Sequence, residues 1–159
     1  MNKQVWIEKA LGLGIQEFEI YQSTTVEKEM TWFQGQMDTL VSSKVTGTSI
    51  RGIVDGKMAN MALEEIDDSM CETVLKSLIE QAHIISNEET DSLRKPEPIE
   101  YVKKDVTWNM ASTEYVKDIL QSLEAKILAY DPRVIQVGYL GYSQGSGSRS
   151  IVNSLGMDV

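Results

Sequence analysis

The sequence contains one histidine, His83, and hydrolytic metal chemistry in this chain would depend on it first. Zinc enzymes use three protein ligands drawn from histidine, cysteine and carboxylates, often with two histidines one helical turn apart. His83 falls within a predicted helix, and the positions one turn away hold Ile79 and Asn87, neither of which is such a ligand. The pattern therefore favours a histidine on a helix surface over a metal ligand.

The single cysteine, Cys71, excludes an intrachain disulfide and gives no indication of a secreted, disulfide-bonded scaffold. Cys71 falls in the predicted first turn of the same helix, where the helix dipole could lower the pKa of a thiol and make it reactive. A small apolar side chain, buried or half-buried, is the interpretation that we prefer.

Other patterns that carry chemistry are absent from the sequence. No Gly-x-Ser-x-Gly nucleophile elbow stands between a predicted strand and a predicted helix, so Gly145–Ser148 is interpreted as a flexible turn. The segment Gly12–Gly14 follows a helix instead of opening one, and nothing resembles a phosphate-binding Gly-x-x-x-x-Gly-Lys-Ser/Thr loop.

A run of carboxylates precedes the predicted central helix and could bind a divalent cation: Glu64, Glu65, Asp67 and Asp68. The run lacks the alternating spacing and the glycine of a calcium loop, so a solvated helix start is the preferred interpretation. Methionines and aromatic residues could line an adaptable binding surface, but core packing explains them equally well. They are Met30, Met37, Met58, Met61, Met110, Trp32, Phe33 and Trp108. We therefore predict no catalytic, cofactor-binding or metal-binding residue in this chain.

The composition is that of a globular protein with a strongly acidic balance. The 159 residues include 24 acidic and 15 basic side chains, a net charge of −9, which repels phosphate backbones and anionic lipids. No segment has the apolar length of a membrane span or of a signal peptide. The sequence thus predicts a cytoplasmic protein of one domain, long enough to bury a core, with no direct contact with nucleic acid and no membrane contact.

Two hairpins are predicted between Glu17 and Ala62. Asp55-Gly56 is a strong signal for a two-residue type I′ turn, because glycine adopts positive φ freely and aspartate tolerates it. The implied register is Val54 facing Lys57, Gly52 facing Ala59, Ile50 facing Met61, Arg51 facing Asn60 and Ser49 facing Ala62. Gln34-Gly35 is a weaker turn signal, which joins Glu17–Trp32 to Met37–Thr46.

Three helices are predicted from apolar residues at helical spacing. The first is short and ends at Gly14. The second runs over Ser69–Ile85, with Ser69 and Glu72 as a capping box. The third runs over Thr113–Tyr130 and ends before Pro132, because the residue before a proline disfavours helical backbone.

The remaining segments are a connector, two strands and a turn. Asn87–Pro98 is acidic, contains proline and lacks periodicity, so it is the best internal boundary. Arg133–Tyr142 and Arg149–Ser154 are predicted strands on either side of Ser143–Ser148, which is expected to form a hairpin or a longer excursion. Ser154–Gly156 resembles a turn into further structure, so residues 1–159 are interpreted as a fragment of a longer protein. The predicted fold class is α+β, an antiparallel sheet of hairpins packed by two long helices and one short N-terminal helix.

Five segments, taken in order, resemble the N-terminal region of the TldD/PmbA family, also called modulator-of-gyrase proteins. Gly14–Tyr21 is similar to the family's passage from helix into strand, Gln34–Asp38 to its first turn, and Gly47–Lys57 to its second hairpin. Tyr130–Val134 resembles the family's "yDpRi" segment and Ile151–Gly156 its "ianSnG" segment. No single segment is specific, and the resemblance rests on their order and spacing.

The resemblance implies a longer protein, of which residues 1–159 form a single N-terminal domain. The TldD-type members of the family are zinc metallopeptidases acting on small or unfolded peptides. Their metal ligands lie in a C-terminal His-Glu-x-x-x-His helix and a later cysteine, which this sequence lacks, so no catalytic residue carries over. PmbA-type members lack the complete metal motif and pair with the TldD type, and the acidic connector leans towards PmbA. The implied partners are the protein's own C-terminal domain, a partner subunit or second copy, and a peptide substrate.

The chain departs from the family pattern in two places. Met58–Met61 stands where members usually have a glycine before the small residue of the second hairpin, and Leu63–Asp67 replaces the usual segment after it. These changes put any family role of that strand in doubt. The alternative is therefore a free-standing protein-binding or peptide-binding module without a link to peptidases.

Overall fold

The structure is a computed structural model that describes residues 1–64, 66–86, 88–98 and 109–159. In chain order its elements are α1 (Lys3–Gly12), β1 (Glu17–Phe33), β2 (Gln36–Val54), β3 (Lys57–Leu63), a 3₁₀ turn (Asp68–Met70), α2 (Cys71–Ile84), α3 (Thr113–Leu128) and β4 (Leu140–Asn153). The strands form one antiparallel sheet in the order β3-β2-β1-β4. The predicted α+β class, with one short and two longer helices, is confirmed.

Contacts along the chain divide it into two compact units. The first comprises Met1–Thr24, Thr46–Tyr101 and Ser148–Val159, and the second comprises Thr25–Val45 and Val102–Gly147. The prediction of a single N-terminal domain of a longer protein stays a prediction.

The core of the first unit lies between one face of the sheet and the helices α1 and α2. Alternate strand residues supply one side of it and residues three and four apart on α2 supply the other, because strands repeat every two residues and helices every 3.6. The buried set includes Trp6, Ile15, Phe18, Ile20, Ile50, Ala59, Leu75 and Leu78.

Both predicted turns have two residues and positive φ at both positions, as type I′ geometry requires. Asp55 and Gly56 have φ of 48° and 73°, and Gln34 and Gly35 have φ of 48° and 77°. The predicted register of the second hairpin, from Ser49 with Ala62 to Val54 with Lys57, is confirmed. The second strand of the first hairpin was expected to end at Thr46. Instead β2 continues through Gly47 to Val54 as one strand of 19 residues.

The predicted capping box at Ser69 is wrong. Met70 precedes α2 and makes no side-chain cap, and Asp67 instead caps the short 3₁₀ turn by accepting from the Ser69 N–H at 2.7 Å. An aspartate side chain readily accepts from the amide two residues ahead, as Asp67 does from Ser69. A 3₁₀ turn therefore forms over Asp68–Met70, and α2 begins after it at Cys71. The helix itself ends at Ile84.

The predicted hairpin around Ser143–Ser148 is also wrong. Leu140–Asn153 is one continuous strand, and residues 133–139 belong to none. Small residues favour flexibility in isolation, but here they allow close strand pairing. A Cβ on Gly145 would lie 3.3 Å from the Val26 carbonyl oxygen of β1. The turn predicted at Ser154–Gly156 exists and brings Val159 back to exchange two backbone hydrogen bonds with Ile151.

The core of the second unit is smaller. Met30 and Trp32 of β1 pack against Val116 and Leu120 of α3, with Leu140 and Tyr142 of β4 partly buried beside them. Ser112 caps α3 by accepting from the Tyr115 N–H. This cluster follows from the predicted apolar stripe of α3 meeting alternate residues of β1.

Candidate functional site

The residues singled out for chemistry do not come together. His83 is exposed on α2, with its Nε2 atom 3.6 Å from Asp55 Oδ2. Cys71 is buried, and desolvation raises the pKa of its thiol, which opposes the lowering that the helix dipole could give. Its surroundings therefore make Cys71 a packed apolar side chain and not a reactive one.

The acidic run acts as local structure. Asp68 accepts from the Asn2 N–H and from Trp6 Nε1 at 2.8 and 2.9 Å, and these hydrogen bonds hold the pKa of Asp68 below its usual value. Hydrogen bonds from Ser69 lower the pKa of Asp67 in the same way. In the described parts of the chain, no three residues among His, Cys, Asp and Glu are grouped so that they could hold a metal ion.

The methionines and aromatic residues divide between core and surface. Met30 and Trp32 are buried, Met61 packs on the first core from its margin, and Met37 and Phe33 are exposed. Met58 and Met110 are half-buried. Trp108 and Glu65 lie outside the described residues.

A polar network occupies the face of the first unit's sheet that points away from α1 and α2. Glu19 alternates with the core residues Phe18 and Ile20, so its side chain lies on the opposite face of the sheet. It is nevertheless only 2% exposed, because another segment of the chain covers this face. Arg51 of β2 contacts Glu19 Oε1 through Nε at 2.7 Å and through an Nη atom at 2.6 Å. Asn153 of β4 donates to Glu19 Oε2 at 3.2 Å. One buried carboxylate thus binds two neighbouring strands.

The covering segment is the connector, whose residues 91–94 lie along this unit. The Asp91 N–H donates to the Gly56 carbonyl, and Asp91 Oδ2 accepts from the Met58 N–H at 3.0 Å. The Leu93 N–H donates to Glu17 Oε2 at 2.6 Å, and the Arg94 carbonyl accepts from Asn153 Nδ2. These bonds fix a segment without regular secondary structure as a strap over the sheet, and the side chain of Leu93 within the strap is buried.

Beside this network lies an open cavity of about 310 Å³. Its lining residues are Tyr21, Ser23, Gly47, Thr48, Ser49, Ala62, Leu63 and Glu64. Tyr21, Ser49 and Ala62 share the outer face of three adjacent strands, so the cavity combines hydroxyl groups with a small apolar floor. It opens next to the edge strand β3.

In the second unit, Glu124 connects α3 to the turn of the first hairpin. This carboxylate is buried; its Oε2 accepts from Trp32 Nε1 at 2.7 Å and its Oε1 from the Gly35 N–H at 3.2 Å. Both oxygens are therefore used. Nothing in the sequence indicated that Glu19, Asn153 and Glu124 are buried, because carboxylate and amide side chains on a strand or helix are normally expected to face water.

We expect Glu124→Gln to lower the free energy of unfolding by about 1 to 2 kcal/mol, because the amide can accept only one of the two N–H groups. Urea unfolding followed by tryptophan fluorescence measures the change. Glu114→Gln on the exposed side of the same helix is the matched control and should have little effect. Equal stability of both variants would contradict a role for Glu124 in holding the turn.

Part of the chain matches a known protein family. Residues 18–86 match the family model described as PmbA/TldA metallopeptidase domain 1. This match confirms the resemblance to the PmbA/TldD family that the sequence indicated. None of the curated protein sequences matches it.

Three solved structures share the fold of this chain. They are a candidate modulator of DNA gyrase from Thermotoga maritima (TM-score 0.81, 19% identity), TldE from Thermococcus kodakarensis (0.82, 19%) and a candidate modulator of DNA gyrase from Bacteroides thetaiotaomicron (0.74, 18%). They align with 99%, 99% and 98% of this chain, which spans 35%, 36% and 36% of their own lengths. Identities this low show a shared fold alone.

Proposed function

We propose that this chain is the N-terminal scaffold and peptide-docking domain of a TldD/PmbA-type peptidase or of its non-catalytic partner subunit. In this proposal bonds are cleaved elsewhere in the assembly, by the protein's own C-terminal domain or by a partner subunit, in the cytoplasm. The observation that carries the proposal is the outer edge of β3, with the cavity that opens beside it.

The backbone of β3 offers hydrogen-bonding groups at the edge of the sheet. The Met58 N–H faces away from β2, since it donates to Asp91 Oδ2. Antiparallel pairing alternates every residue, so the backbone groups of Asn60 and Ala62 face the same way. Within the described part of the chain, Asp91 accepts from the N–H of Met58. The N–H groups of Asn60 and Ala62 have no such side-chain acceptor there.

An unfolded peptide can use this edge by adding a strand to the sheet. Backbone hydrogen bonds do not depend on side-chain identity, which suits a protein acting on many peptides, and pockets for alternate side chains supply selectivity. The cavity beside Ala62, about 310 Å³, has room for one peptide side chain. The net charge of −9 favours peptides that carry positive charge.

Zinc, which the family's metallopeptidase description implies, does not fit the residues described here. The thiol of Cys71 is buried with a raised pKa, His83 has Asp55 as its acidic neighbour, and the described residues contain no three-ligand group. We therefore propose no role for a metal ion in this domain. Among the described residues, no helix is long and apolar enough to cross a membrane.

We expect Ala62→Pro to weaken the binding of an unstructured, lysine-containing decapeptide by about three- to ten-fold, since one hydrogen bond contributes about 0.5 to 1.5 kcal/mol. The outward N–H of Ala62 is lost, whereas the ladder to β2 keeps its bonds. Ala62→Val, which keeps the N–H, is the matched control. The measurement is a titration of the ¹⁵N-labelled chain followed by amide chemical shifts.

The expected shifts fall on the edge residues Asn60 and Ala62 and on the cavity residues Tyr21 and Ser49. A titration that shifts no amide along any strand edge would refute the docking role. Equal affinity of the proline and valine variants would move the peptide away from β3. Peptide cleavage by the 159-residue chain alone would refute the assignment of chemistry to another part of the protein.

A further inference from the structure

One end of the outer edge of β3 is already occupied by the chain itself. The Met58 N–H donates to Asp91 Oδ2 at 3.0 Å, and the Asp91 N–H donates to the Gly56 carbonyl at 2.9 Å. These two bonds bridge positions two apart along the chain, as a single residue of a neighbouring parallel strand does. Asp91 therefore takes the place that an added strand would otherwise occupy at Met58.

The strap of residues 91–94 holds Asp91 in this position. The Leu93 N–H donates to Glu17 Oε2 at 2.6 Å, and the Arg94 carbonyl accepts from Asn153 Nδ2 at 3.0 Å. The side chain of Leu93 is buried. Moving Asp91 away from β3 would therefore break hydrogen bonds and expose an apolar side chain, so the strap is a fixed part of this edge.

The part of the edge beyond Asp91 is short. The outward backbone groups of Asn60 and Ala62 come next, and the described parts of the chain offer their N–H groups no side-chain acceptor. Because β3 ends at Leu63, the open length from Asn60 is about 10 Å at the usual rise per strand residue. The cavity of about 310 Å³ opens beside Ala62. An extended peptide thus has an open stretch with Asp91 at one end and the cavity at the other.

We propose that Asp91 is a positioning residue that ends the peptide-docking edge at Asn60 and thereby fixes the register of a docked peptide. The inference rests on the proposed docking role of β3. A peptide strand extended past Asn60 finds the Met58 N–H taken by the Asp91 carboxylate and has to leave the sheet there. About three or four extended residues then pair with β3, one of them beside the cavity at Ala62.

A stop of this kind limits what a peptide gains from its length. Without the stop, each further residue pair along β3 would add backbone hydrogen bonds, and longer peptides would bind more tightly. With the stop, peptide residues beyond the open stretch contribute no hydrogen bonds at β3. The paired segment of every docked peptide then ends at Asn60.

Hydrogen exchange of the ¹⁵N-labelled chain without peptide tests the stop by itself. We expect the Met58 amide to exchange slowly and the Asn60 and Ala62 amides to exchange fast, because among the described residues only the Met58 N–H has a side-chain acceptor on this edge. Asp91→Ala removes the acceptor and should speed exchange at Met58 by about ten-fold. Asp91→Asn keeps a side-chain oxygen there and is the matched control.

Titration with unstructured, lysine-containing peptides of five and ten residues tests the register. In the wild-type chain both peptides should shift the Asn60 and Ala62 amides, shift Met58 far less, and bind equally within about two-fold. Asp91→Ala frees the Met58 N–H, so the ten-residue peptide should bind this variant about three- to ten-fold more tightly than the five-residue peptide. The Met58 amide should then shift as well, whereas Asp91→Asn should behave as wild type.

The outcomes separate this inference from the docking role. A wild-type chain in which Met58 shifts as strongly as Asn60, or prefers the longer peptide several-fold, overturns the stop and leaves docking intact. Equal exchange at Met58 in the alanine and asparagine variants also overturns the stop. Peptides that shift no amide of β3 overturn the docking role and this inference together. The wild-type titrations need no substitution, so they decide the question even if Asp91→Ala loosens the strap.

Discussion

Replacing Gly52 with valine is expected to lower the free energy of unfolding by about 3 kcal/mol, because the site has no room for a side chain. Gly52 lies in β2 where the sheet meets α2. A Cβ there would come within 2.9 Å of Ile15 Cγ2 and of Leu78 Cδ2, and within 3.6 Å of a Phe18 ring carbon. Leu78 can rotate away at some cost, but the β-branched Ile15 has little freedom.

Urea unfolding measures this change, with Gly52→Ala as an intermediate step that brings only the Cβ contact. Gly12→Ala is the control, since the same atom on Gly12 would meet nothing within 4 Å and α1 gains a better helix former. Valine and alanine variants as stable as wild type would show that α2 lies further from β2 at this point.

Asn153→Ala is expected to be almost as destabilising, by about 3 kcal/mol, because the buried Asn153 side chain makes four hydrogen bonds. Its Oδ1 atom accepts from the N–H groups of Leu155 and Met157, each at 3.0 Å. Its Nδ2 atom donates to Glu19 and to the Arg94 carbonyl. Alanine removes all four hydrogen bonds at a site where Asn153 is 4% exposed, and Glu19 keeps only its contacts with Arg51 among these interactions.

Two measurements separate this role from general packing. Urea unfolding gives the loss of stability, and hydrogen exchange of the Leu155 and Met157 amides reports on the turn that Asn153 holds. We expect both amides to exchange faster in the variant. Asn60→Ala, an exposed asparagine on β3, is the control and should change neither observable. Unchanged protection at Leu155 would mean that the turn does not depend on Asn153.

The elements with strong local signals could be predicted from the sequence. Asp55-Gly56 specified both the turn and the register, because a two-residue loop permits one pairing and glycine needs no neighbour to adopt positive φ. The apolar residues of α2 recur at helical spacing, and this pattern predicted which side of the helix is buried. Helical periodicity is a property of the local sequence, so no distant partner is needed to recognise it.

Elements whose conformation depends on distant partners could not be predicted. Ser143–Ser148 is part of β4 because β1 lies beside it as a pairing strand. The Gly-Ser composition of the segment gives no indication of that partner. Residues 91–94 lie as a strap because Glu17, Gly56 and Asn153 satisfy their backbone groups. The same holds for Glu19 and Glu124, whose burial requires partners 134 and 92 residues away along the chain.

The sequence by itself indicated the family resemblance, the α+β class and both turns, because turn propensity and periodicity are local properties of the chain. The tertiary structure decided which carboxylates are buried, that the acidic connector covers the sheet, and which edge and helix face stay exposed. Those features arise from hydrogen bonds and packing between residues far apart in the chain, and no short segment contains both partners.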